Sequence, residues 1–366
     1  MPLAAGCMTG TSLDAIDAAI VEINGHGLSM SARLIEGRSA PLGDLAAPLR
    51  RLAEQQPMTA GEIADLSHRF ALAHAALLRD LLGSSSGGGR TPDLVALHGQ
   101  TVYHKPPLSW QLMNPAPVAA LVRAPVVHDL RAADLAAGGQ GAPITPIADW
   151  VFFGGTSAPL AIVNLGGFCN VTLLPAASTP RDHSGELESI RGMDVCPCNH
   201  ILDAVARATL GAPFDADGAR AANGTPHDEA LEDLEGVLAS RARAHKSMGT
   251  GDEALDWVSR WRAHVPGPDL AATACEAIGS AIASATANRR ALLAGGGARN
   301  RALAAAIASA ATGPVELVNP AELAQYREAA AMAVLGALCR DRVPITLPAV
   351  TGVRGPAPVS GSWVEP

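Results

Sequence analysis

The stretch that decides the fold of this chain is residues 6–17, which read GCMTGTSLDAID. An apolar run at residues 2–7 leads into it, and an alternating run at residues 15–22 leads out of it. This pattern predicts two strands joined by a tight turn. The turn is rich in glycine and in hydroxyl groups, at positions 9, 11 and 12, which can direct several donors at one phosphate oxygen. An ordinary hairpin turn explains the stretch equally well at this point.

The size and composition of the chain favour a soluble globular protein with two domains. The chain has 366 residues, of which 48% are hydrophobic, and this length is comfortable for two cores. No run approaches the roughly 18 apolar residues of a membrane span. The net charge of −8 and the 12 aromatic residues (five Trp, two Tyr, five Phe) argue against nucleic acid as the main partner, because phosphate binding needs a basic face and base stacking needs aromatic rings.

The N-terminus and the cysteines indicate a cytoplasmic protein. Residues 1–20 lack a basic segment followed by a cleavable apolar core, so no signal peptide is expected. The six cysteines lie mostly inside apolar runs, which predicts reduced, buried thiols.

Helical and glycine-rich segments after the opening stretch indicate an α/β architecture that occurs once in each half of the chain. Residues 41–83 carry apolar residues at helical spacing, and residues 94–97 form a short buried strand. Residues 159–174, PLAIVNLGGFCNVTLL, repeat the strand, glycine turn and strand of the opening stretch. Residues 291–300, ALLAGGGARN, predict a strand that runs into glycines at the start of a helix, where a nucleotide can approach the backbone closely. A plain βα loop is the alternative for this last segment.

Three polar segments are candidates for a ligand site: residues 98–106 (HGQTVYHKP), residues 126–143 (VVHDLRAADLAAGGQGAP) and residues 191–199 (RGMDVCPCN). Polar side chains at the C-terminal end of a strand occupy the place where α/β folds bind ligands. The alternatives are histidines that cap a turn in the first segment and a solvated loop with a structural Asp–Arg pair in the second. A zinc site at His98 and His104, or one at Cys196, Cys198 and His200, lacks further ligands at suitable spacing.

Together these segments resemble the anhydro-N-acetylmuramic acid kinase family. The opening stretch matches the family pattern G-x-M-S-G-T-S-x-D-G-x-D apart from Thr9 and Ala15. Later segments match H-G-Q-T-I-x-H-x-P, V-V-x-D-F-R-x-x-D-x-A-A-G-G-Q-G-A-P, N-x-G-G-x-x-N, G-x-D-x-G-P-x-N and G-G-G-A-x-N. The departures from these and from two shorter family patterns include Met113, Leu130, Cys196 and Met332. The resemblance extends over most of the chain, except roughly residues 175–190 and 220–290.

The resemblance implies the fold class α/β, with two related ribonuclease H-like (actin/hexokinase-type) domains and ATP in the cleft between them. It places domain I at residues 1–130, with the C-terminal tail 346–366 packing back on it, and an ATP-binding domain II at residues 131–345. The common G-x-x-x-x-G-K-[ST] and G-x-G-x-x-G nucleotide motifs do not occur in the sequence.

The resemblance also assigns functional residues. Asp194 corresponds to the catalytic base of the family. The ATP-binding residues are Gly10, Thr11, Ser12, Leu13, Asp14, Ala15, Ile16, Asp17, Asn164, Gly166, Gly167, Gly295, Gly296 and Gly297. The residues that contact or position the sugar are Gln100, Asp129, Arg131 and Glu328. ATP and Mg²⁺ are the implied cofactors, with the Mg²⁺ ligands unassigned, and a homodimer is the implied assembly.

The implied reaction opens the 1,6-anhydro bridge of 1,6-anhydro-N-acetylmuramic acid with water and transfers the γ-phosphoryl group of ATP to O6. Such a reaction needs one carboxylate to deprotonate the water, as in inverting glycosidases, and donors to offset the charge on the phosphate. Two alternatives remain at this point: a kinase of another 1,6-anhydrosugar such as levoglucosan, and a catalytically decayed sugar or nucleotide sensor.

Overall fold

The structure is a computed structural model that describes residues 2–10, 13–84, 89–177, 183–243 and 252–366. The chain forms two compact units. The first comprises Met1–Ser157, Pro175–Arg191 and Tyr326–Pro366, and the second comprises Ala158–Leu174 and Gly192–Gln325. This division groups residues 131–157 with the first unit, whereas the domain limits taken from the sequence, 1–130 and 131–345, stay a prediction.

The strands and helices follow one another in an α/β order. The strands are β1 (Leu3–Thr9), β2 (Ala15–Asn24), β3 (Ser31–Pro41), β4 (Leu94–Leu97), β5 (Gln100–Lys105), β6 (Leu108–Leu112), β7 (Val126–His128), β8 (Leu160–Leu165), β9 (Phe168–Leu174), β10 (Arg191–Pro197), β11 (Arg290–Ala294), β12 (Val315–Leu317) and β13 (Ser362–Val364). The helices are α1 (Ala46–Ala53), α2 (Ala60–Leu82), α3 (Pro115–Val122), α4 (Ala132–Ala136), α5 (Pro146–Phe153), α6 (His183–Ser189), α7 (Asn199–Val205), α8 (Asp228–Arg243), α9 (Asp252–Trp261), α10 (Gly267–Thr286), α11 (Arg301–Ala310), α12 (Ala321–Arg340) and α13 (Pro348–Thr351).

The first unit contains a six-stranded sheet with the strand order β13-β7-β4-β1-β2-β3. β1 pairs antiparallel with β2, and β2 pairs antiparallel with β3, which confirms the strand–turn–strand predicted for residues 6–17. β1 also pairs in parallel with β4, and β4 pairs in parallel with β7. The C-terminal tail contributes β13, which pairs antiparallel with β7 at the edge of this sheet.

The second unit repeats this topology. Its five-stranded sheet has the order β10-β9-β8-β11-β12, in which β8 pairs antiparallel with β9 and in parallel with β11. When the strands of each sheet are numbered in chain order, the second sheet reads 3-2-1-4-5, and the first reads 3-2-1-4-5-6, with β13 as an additional edge strand. The order 3-2-1-4-5 is that of a ribonuclease H-like domain. The predicted fold class, with two related ribonuclease H-like domains, is therefore confirmed.

Each unit buries its own core. In the first, the long helix α2 begins with a capping box, in which Thr59 Oγ1 accepts a hydrogen bond from the Glu62 amide and the Glu62 carboxylate accepts one from the Thr59 amide. In the second, Trp257 is the largest fully buried side chain, and its indole N–H donates to the carbonyl oxygen of Ala230. All six cysteines are free and buried, as the sequence predicted.

Two elements complete the first unit. β3 lies at one edge of its sheet, and α6 lies in the segment 175–191 that the first unit includes. Within the described ranges no helix combines the length and the apolarity needed to cross a bilayer.

The buried histidine of α2 makes the stability of the first unit depend on pH. His74 is fully buried, its Nδ1 lies 2.8 Å from the carbonyl oxygen of Phe70, and its Nε2 has no hydrogen-bond partner. Burial lowers the pKa of His74 to about 4. Because the folded-state pKa lies below the unfolded value near 6.5, the neutral ring contributes its full stability above pH 6.5 and loses it as the pH falls toward 4.

We therefore expect His74→Leu to reduce the loss of stability between pH 7 and pH 4, by on the order of 2–3 kcal/mol. The measurement is the urea midpoint of the variant and of the unaltered protein at both pH values. His68→Leu is the matched control, because His68 lies on the same helix with an exposed ring. An equal loss of stability in the His74→Leu variant and the unaltered protein would contradict the explanation.

Candidate functional site

The turn between β1 and β2 is tight and places its strained residue at Leu13. The amide of Leu13 donates to the carbonyl oxygen of Gly10 at 3.3 Å, and Leu13 has a φ of +58°. Ala15 stands where the family pattern has glycine, yet it is the first residue of β2 and pairs with Pro41. The missing glycine is therefore compatible with the turn. Thr11 and Ser12 lie outside the described residues.

The remaining residues predicted from this turn differ in exposure. Leu13 and Ile16 are buried in the core of the first unit, so only their backbone atoms can serve a ligand. Asp14 is exposed at the turn. Thr9 ends β1 with a buried Oγ1 that no described residue hydrogen-bonds.

Asp17 and Glu328 belong to one electrostatic cluster in the first unit. Asp17 lies on β2 and accepts a hydrogen bond from the Ser39 hydroxyl, while burial raises the pKa of its carboxyl group. Glu328 lies on α12, and burial raises its pKa as well. The Arg327 guanidinium opposes this increase, and the Asp17 carboxylate adds to it. The structure thus brings a predicted ATP residue and a predicted sugar residue under each other's influence.

Arg131 is held by His98 in a fixed geometry. The Nε and Nη2 atoms of Arg131 lie 2.9 and 2.8 Å from His98 Nε2, and Arg131 Nη1 donates to the carbonyl oxygen of Gly141 at 2.8 Å. Because arginine can only donate, His98 Nε2 must accept, and its Nδ1 must carry the proton donated to the Gly99 carbonyl at 2.8 Å. Burial and the adjacent Arg131 charge lower the pKa of His98 to about 3, so the imidazole stays neutral.

Gln100 and Asp129, the other two predicted sugar residues of the first unit, differ in environment. Gln100 is almost completely buried at the start of β5, and its Oε1 has no hydrogen-bond partner. Asp129 follows β7 directly, with an exposed side chain and a φ of +54°. Asp129 and Arg131 flank Leu130, which takes the place of the family phenylalanine and is buried.

The glycine-rich loop at residues 138–141 is anchored by a buried aspartate. Asp134 accepts hydrogen bonds from the Gly141 amide and the Thr351 hydroxyl, both at 2.7 Å. The amide of Gln140 donates to the carbonyl oxygen of Thr351 at 2.8 Å. The carbonyl oxygen of Gly141 also accepts a hydrogen bond from Arg131. These bonds therefore connect the predicted sugar-binding arginine to the C-terminal tail.

In the second unit the turn between β8 and β9 is bound to the start of α7. The carbonyl oxygen of Gly166 accepts a hydrogen bond from the Asn199 amide at 3.1 Å, and that of Gly167 accepts from the Cys198 amide at 2.8 Å. Asn164 sits in β8 between β9 and β11, and its Oδ1 is buried without a hydrogen-bond partner.

The glycines 295–297, predicted to approach a nucleotide, lie against the same strand. Gly295 has a φ of +84°, and a Cβ atom there would lie 2.9 Å from the Leu165 carbonyl oxygen and 3.0 Å from Asn164 Oδ1. A Cβ atom at Gly297 would lie 2.9 Å from Asn199 Oδ1. Gly296 faces open space, with no other atom within 4 Å of an added Cβ. The structure therefore brings together the second-unit residues predicted to bind ATP, and Gly296 leaves room for a ligand.

Asp194 and Cys196 lie two residues apart on β10 in different environments. Asp194 is exposed, whereas Cys196 is completely buried in the core of the second unit. The Asp194 charge contributes to raising the pKa of Cys169, so the carboxyl group lies near β9. The replacement of the family glycine by Cys196 therefore fills the core and does not add a thiol to the surface around Asp194.

A groove opens between α10 and α11 of the second unit. Its volume is about 320 Å³, and it is lined mainly by alanines together with Cys275, Glu276 and Arg301. Arg301 follows Asn300, whose side chain caps α11 by accepting a hydrogen bond from the Leu303 amide at 3.0 Å. The groove therefore begins at the helix that follows the glycines 295–297.

Metal-ligating side chains do not cluster in the part of the chain that the structure describes. Across its described ranges no group of three or more His, Cys, Asp or Glu side chains is arranged to hold a metal ion. Cys196 and Cys198 are instead packed in the hydrophobic core.

Sequence reasoning missed three residues that surround the predicted sugar residues. His98 belongs to a predicted polar segment, but its position in the sequence does not indicate its contact with Arg131. Arg327 and Asp149 form an ion pair in which both side chains are almost completely buried. The available signal was the placement of each charge in an apolar segment, PIADWVFF around Asp149 and YREAAAMAVL around Arg327.

Comparisons with known proteins identify the family. The family model for anhydro-N-acetylmuramic acid kinase matches residues 2–363. The anhydro-N-acetylmuramic acid kinase of Salinibacter ruber is 33% identical, with 97% of this chain and 94% of the relative covered. That of Bordetella pertussis is 37% identical, with 95% and 92% covered. A solved structure, component A of the (R)-2-hydroxyglutaryl-CoA dehydratase of Acidaminococcus fermentans, aligns over 91% of this chain and 97% of its own, with a TM-score of 0.45 and 12% identity. The chain belongs to the anhydro-N-acetylmuramic acid kinase family.

Proposed function

We propose that the protein opens 1,6-anhydro-N-acetylmuramic acid with water and phosphorylates its O6 with ATP, giving N-acetylmuramic acid 6-phosphate and ADP. The observation that carries the proposal is the family match over residues 2–363, together with relatives named for this activity at 33% and 37% identity over nearly their whole length. The levoglucosan kinase and the decayed sensor considered from the sequence are not favoured, because the relatives carry neither description.

Asp194 is the proposed base. Its exposed position on β10 gives a water molecule access to the carboxylate. The carboxylate takes a proton from that water as the water oxygen bonds to the anomeric carbon, and the bond from the anomeric carbon to O6 breaks. O6 then attacks the γ-phosphorus, and ADP leaves. No separate general acid is needed, because the departing oxygen receives the phosphoryl group.

Arg131, Gln100, Asp129 and Glu328 are the proposed contacts for the sugar or the residues that position it. Arg131 supports this role because His98 and Gly141 fix its guanidinium before any ligand arrives. Pre-organised donors lose less conformational freedom on binding than mobile ones. Gln100 supports it because its buried Oε1 lacks a partner that a ligand hydroxyl can supply.

The phosphates of ATP are proposed to lie at the turn of Gly166 and Gly167, and the adenosine at Gly295 to Gly297. The hydrogen bonds that anchor the turn at Gly166 and Gly167 support the first placement, and the open space at Gly296 supports the second. The buried Oδ1 of Asn164 fits an oxygen ligand for Mg²⁺, directly or through a water. When bound, Mg²⁺ offsets the charge of the transferring phosphoryl group. The residues of this chain contribute the amide donors and the orientation.

The groove between α10 and α11 is the proposed site for the adenine ring. Its volume of about 320 Å³ falls within the range of small-molecule sites, and its alanine-rich walls suit a flat apolar ring. Glu276 and Arg301 supply polar groups at its margin. The homodimer, the cytoplasmic location and the domain limits remain predictions of the sequence.

ATP consumption by the purified protein should depend on 1,6-anhydro-N-acetylmuramic acid. The expected result is formation of ADP and a 6-phosphorylated sugar in a coupled assay, with levoglucosan giving a much lower kcat/KM. Efficient turnover of levoglucosan with no response to the muramic acid derivative would refute the proposed substrate. Nucleotide binding without any turnover would refute the enzyme.

Asp194→Asn should lower kcat by about 10²–10⁴-fold, because the water loses its base. Binding of a non-hydrolysable ATP analogue, measured by calorimetry, should stay within about twofold of the unaltered protein, a difference well under 1 kcal/mol. Asp256→Asn is the control, since this exposed carboxylate on α9 lies in the same unit. Near-normal kcat in the Asp194→Asn variant would remove Asp194 from the mechanism.

Ala305→Trp should block the groove and raise the KM for ATP roughly tenfold or more, which corresponds to about 1.4 kcal/mol of binding free energy. Ala305 is exposed on α11, so the folded core should tolerate the larger side chain. Ala310→Trp, at the end of the same helix, is the matched control outside the groove. An unchanged KM for ATP in Ala305→Trp would place the adenine ring elsewhere.

A further inference from the structure

The start of α12 within the first unit is fixed at three points around Glu328. The helix is interrupted at Tyr326, which has non-helical backbone angles (φ −102°, ψ 17°). The Tyr326 ring lies over Gly37 of β3, where a Cβ atom would be 2.1 Å from the ring. Ala329 lies over Gly6 of β1, where a Cβ atom would be 2.2 Å from the Ala329 carbonyl oxygen. Arg327 supplies the third point.

Arg327 is paired with Asp149 in the interior of the first unit. Its Nη1 donates to Asp149 Oδ1, and the side chains of Arg327 and Asp149 are only 2% and 1% exposed. The Nε atom of Arg327 is buried and has no hydrogen-bond partner among the residues that the structure describes. The ion pair connects α12 to α5 at the residue immediately before Glu328.

A buried ion pair of this kind needs an explanation other than stability. The loss of hydration of two buried charges offsets most of their attraction, so apolar side chains of similar volume are often at least as stabilising. The unpartnered Nε adds a further cost. A role for the two charges in the environment of Glu328 supplies the missing explanation.

Four charged groups from four parts of the first unit act on the Glu328 carboxyl group. The carboxylates of Asp17 on β2 and Asp149 on α5 favour its neutral form, and the guanidinium groups of Arg327 and of Arg131, just before α4, favour its ionised form. The effect of Arg327 is the largest of the four. The two members of the buried pair therefore act on Glu328 in opposite directions.

We propose that Arg327 and Asp149 are positioning residues that hold Glu328 in place and balance its charge. The pair fixes α12 at Arg327, the residue before Glu328, and its two members carry opposite charges beside that carboxyl group. This inference deepens the proposed function, since it rests on the role of Glu328 at the sugar.

The test is a direct titration of the Glu328 carboxyl group in the full-length protein. Side-chain carboxyl signals of protein labelled with ¹³C-glutamate are followed by NMR against pH, and Glu328→Gln identifies the signal of Glu328. Relative to the unaltered protein, Asp149→Asn should lower the Glu328 pKa and Arg327→Met should raise it, each by roughly 0.5–1 pH unit. Because Arg327 has the larger effect, the double variant Arg327→Met/Asp149→Asn should lie above the unaltered protein.

Arg340→Met is the matched control. Arg340 lies near the other end of α12 and pairs with Asp341 at 2.9 Å, so its loss should leave the Glu328 titration unchanged. If Arg327→Met does not fold, Arg327→Lys keeps the charge, and Asp149→Asn still gives the decisive downward shift. The absence of a shift in both variants, or shifts in the same direction, would show that the two charges do not act on Glu328 in opposition, and either result overturns the proposal. The titration needs no turnover, so it decides the inference separately from the proposed reaction.

Discussion

The close contact between β1 and α12 is the constraint on which the first unit depends. A Cβ atom at Gly6 would lie 2.2 Å from the carbonyl oxygen of Ala329 and 2.4 Å from the amide nitrogen of Ala333, so only glycine permits the helix to lie this close to the sheet. Ala329 follows Glu328, and the depth of this contact therefore sets the height of that carboxyl group above the strands.

In the second unit, glycines likewise permit close contact between two backbone segments, here beside β8. Gly295 and Gly297 let the loop after β11 pass against Leu165 at the end of β8. In both units a glycine permits two backbones to approach closely, within β1 at Gly6 and after the end of β11 at Gly295. The polar residues predicted for the site follow within a few positions. The repeated strand order and the repeated close approach are two aspects of one architecture.

Much of this architecture was predictable from the sequence because it rests on local patterns. Alternating and apolar runs separated by glycine predicted β1, β2, β8 and β9 in their correct order, and the family resemblance predicted the ribonuclease H-like domains. Two departures from the family pattern proved harmless for packing reasons. Ala15 is an ordinary strand residue, and Cys196 belongs to the core.

The surroundings of the candidate site were not predictable, because they depend on contacts that sequence spacing does not record. Asp149 and Arg327 are 178 positions apart, and His98 and Arg131 are 33 apart. Each pair is assembled by the packing of separate elements, so the sequence around one partner does not indicate the other. Likewise, the tautomer of His98 follows only from the two N–H donors of Arg131 that face its Nε2 atom.

The six buried thiols can report how often the interior of each unit becomes exposed to solvent. Cys7 and Cys339 belong to the first unit, and the other four, Cys169, Cys196, Cys198 and Cys275, belong to the second. Burial raises the pKa of every one of them, which suppresses the reactive thiolate as long as the native structure is closed around it. Alkylation by a small reagent, resolved by peptide mass, would thus record how often each unit exposes its interior, without any introduced label.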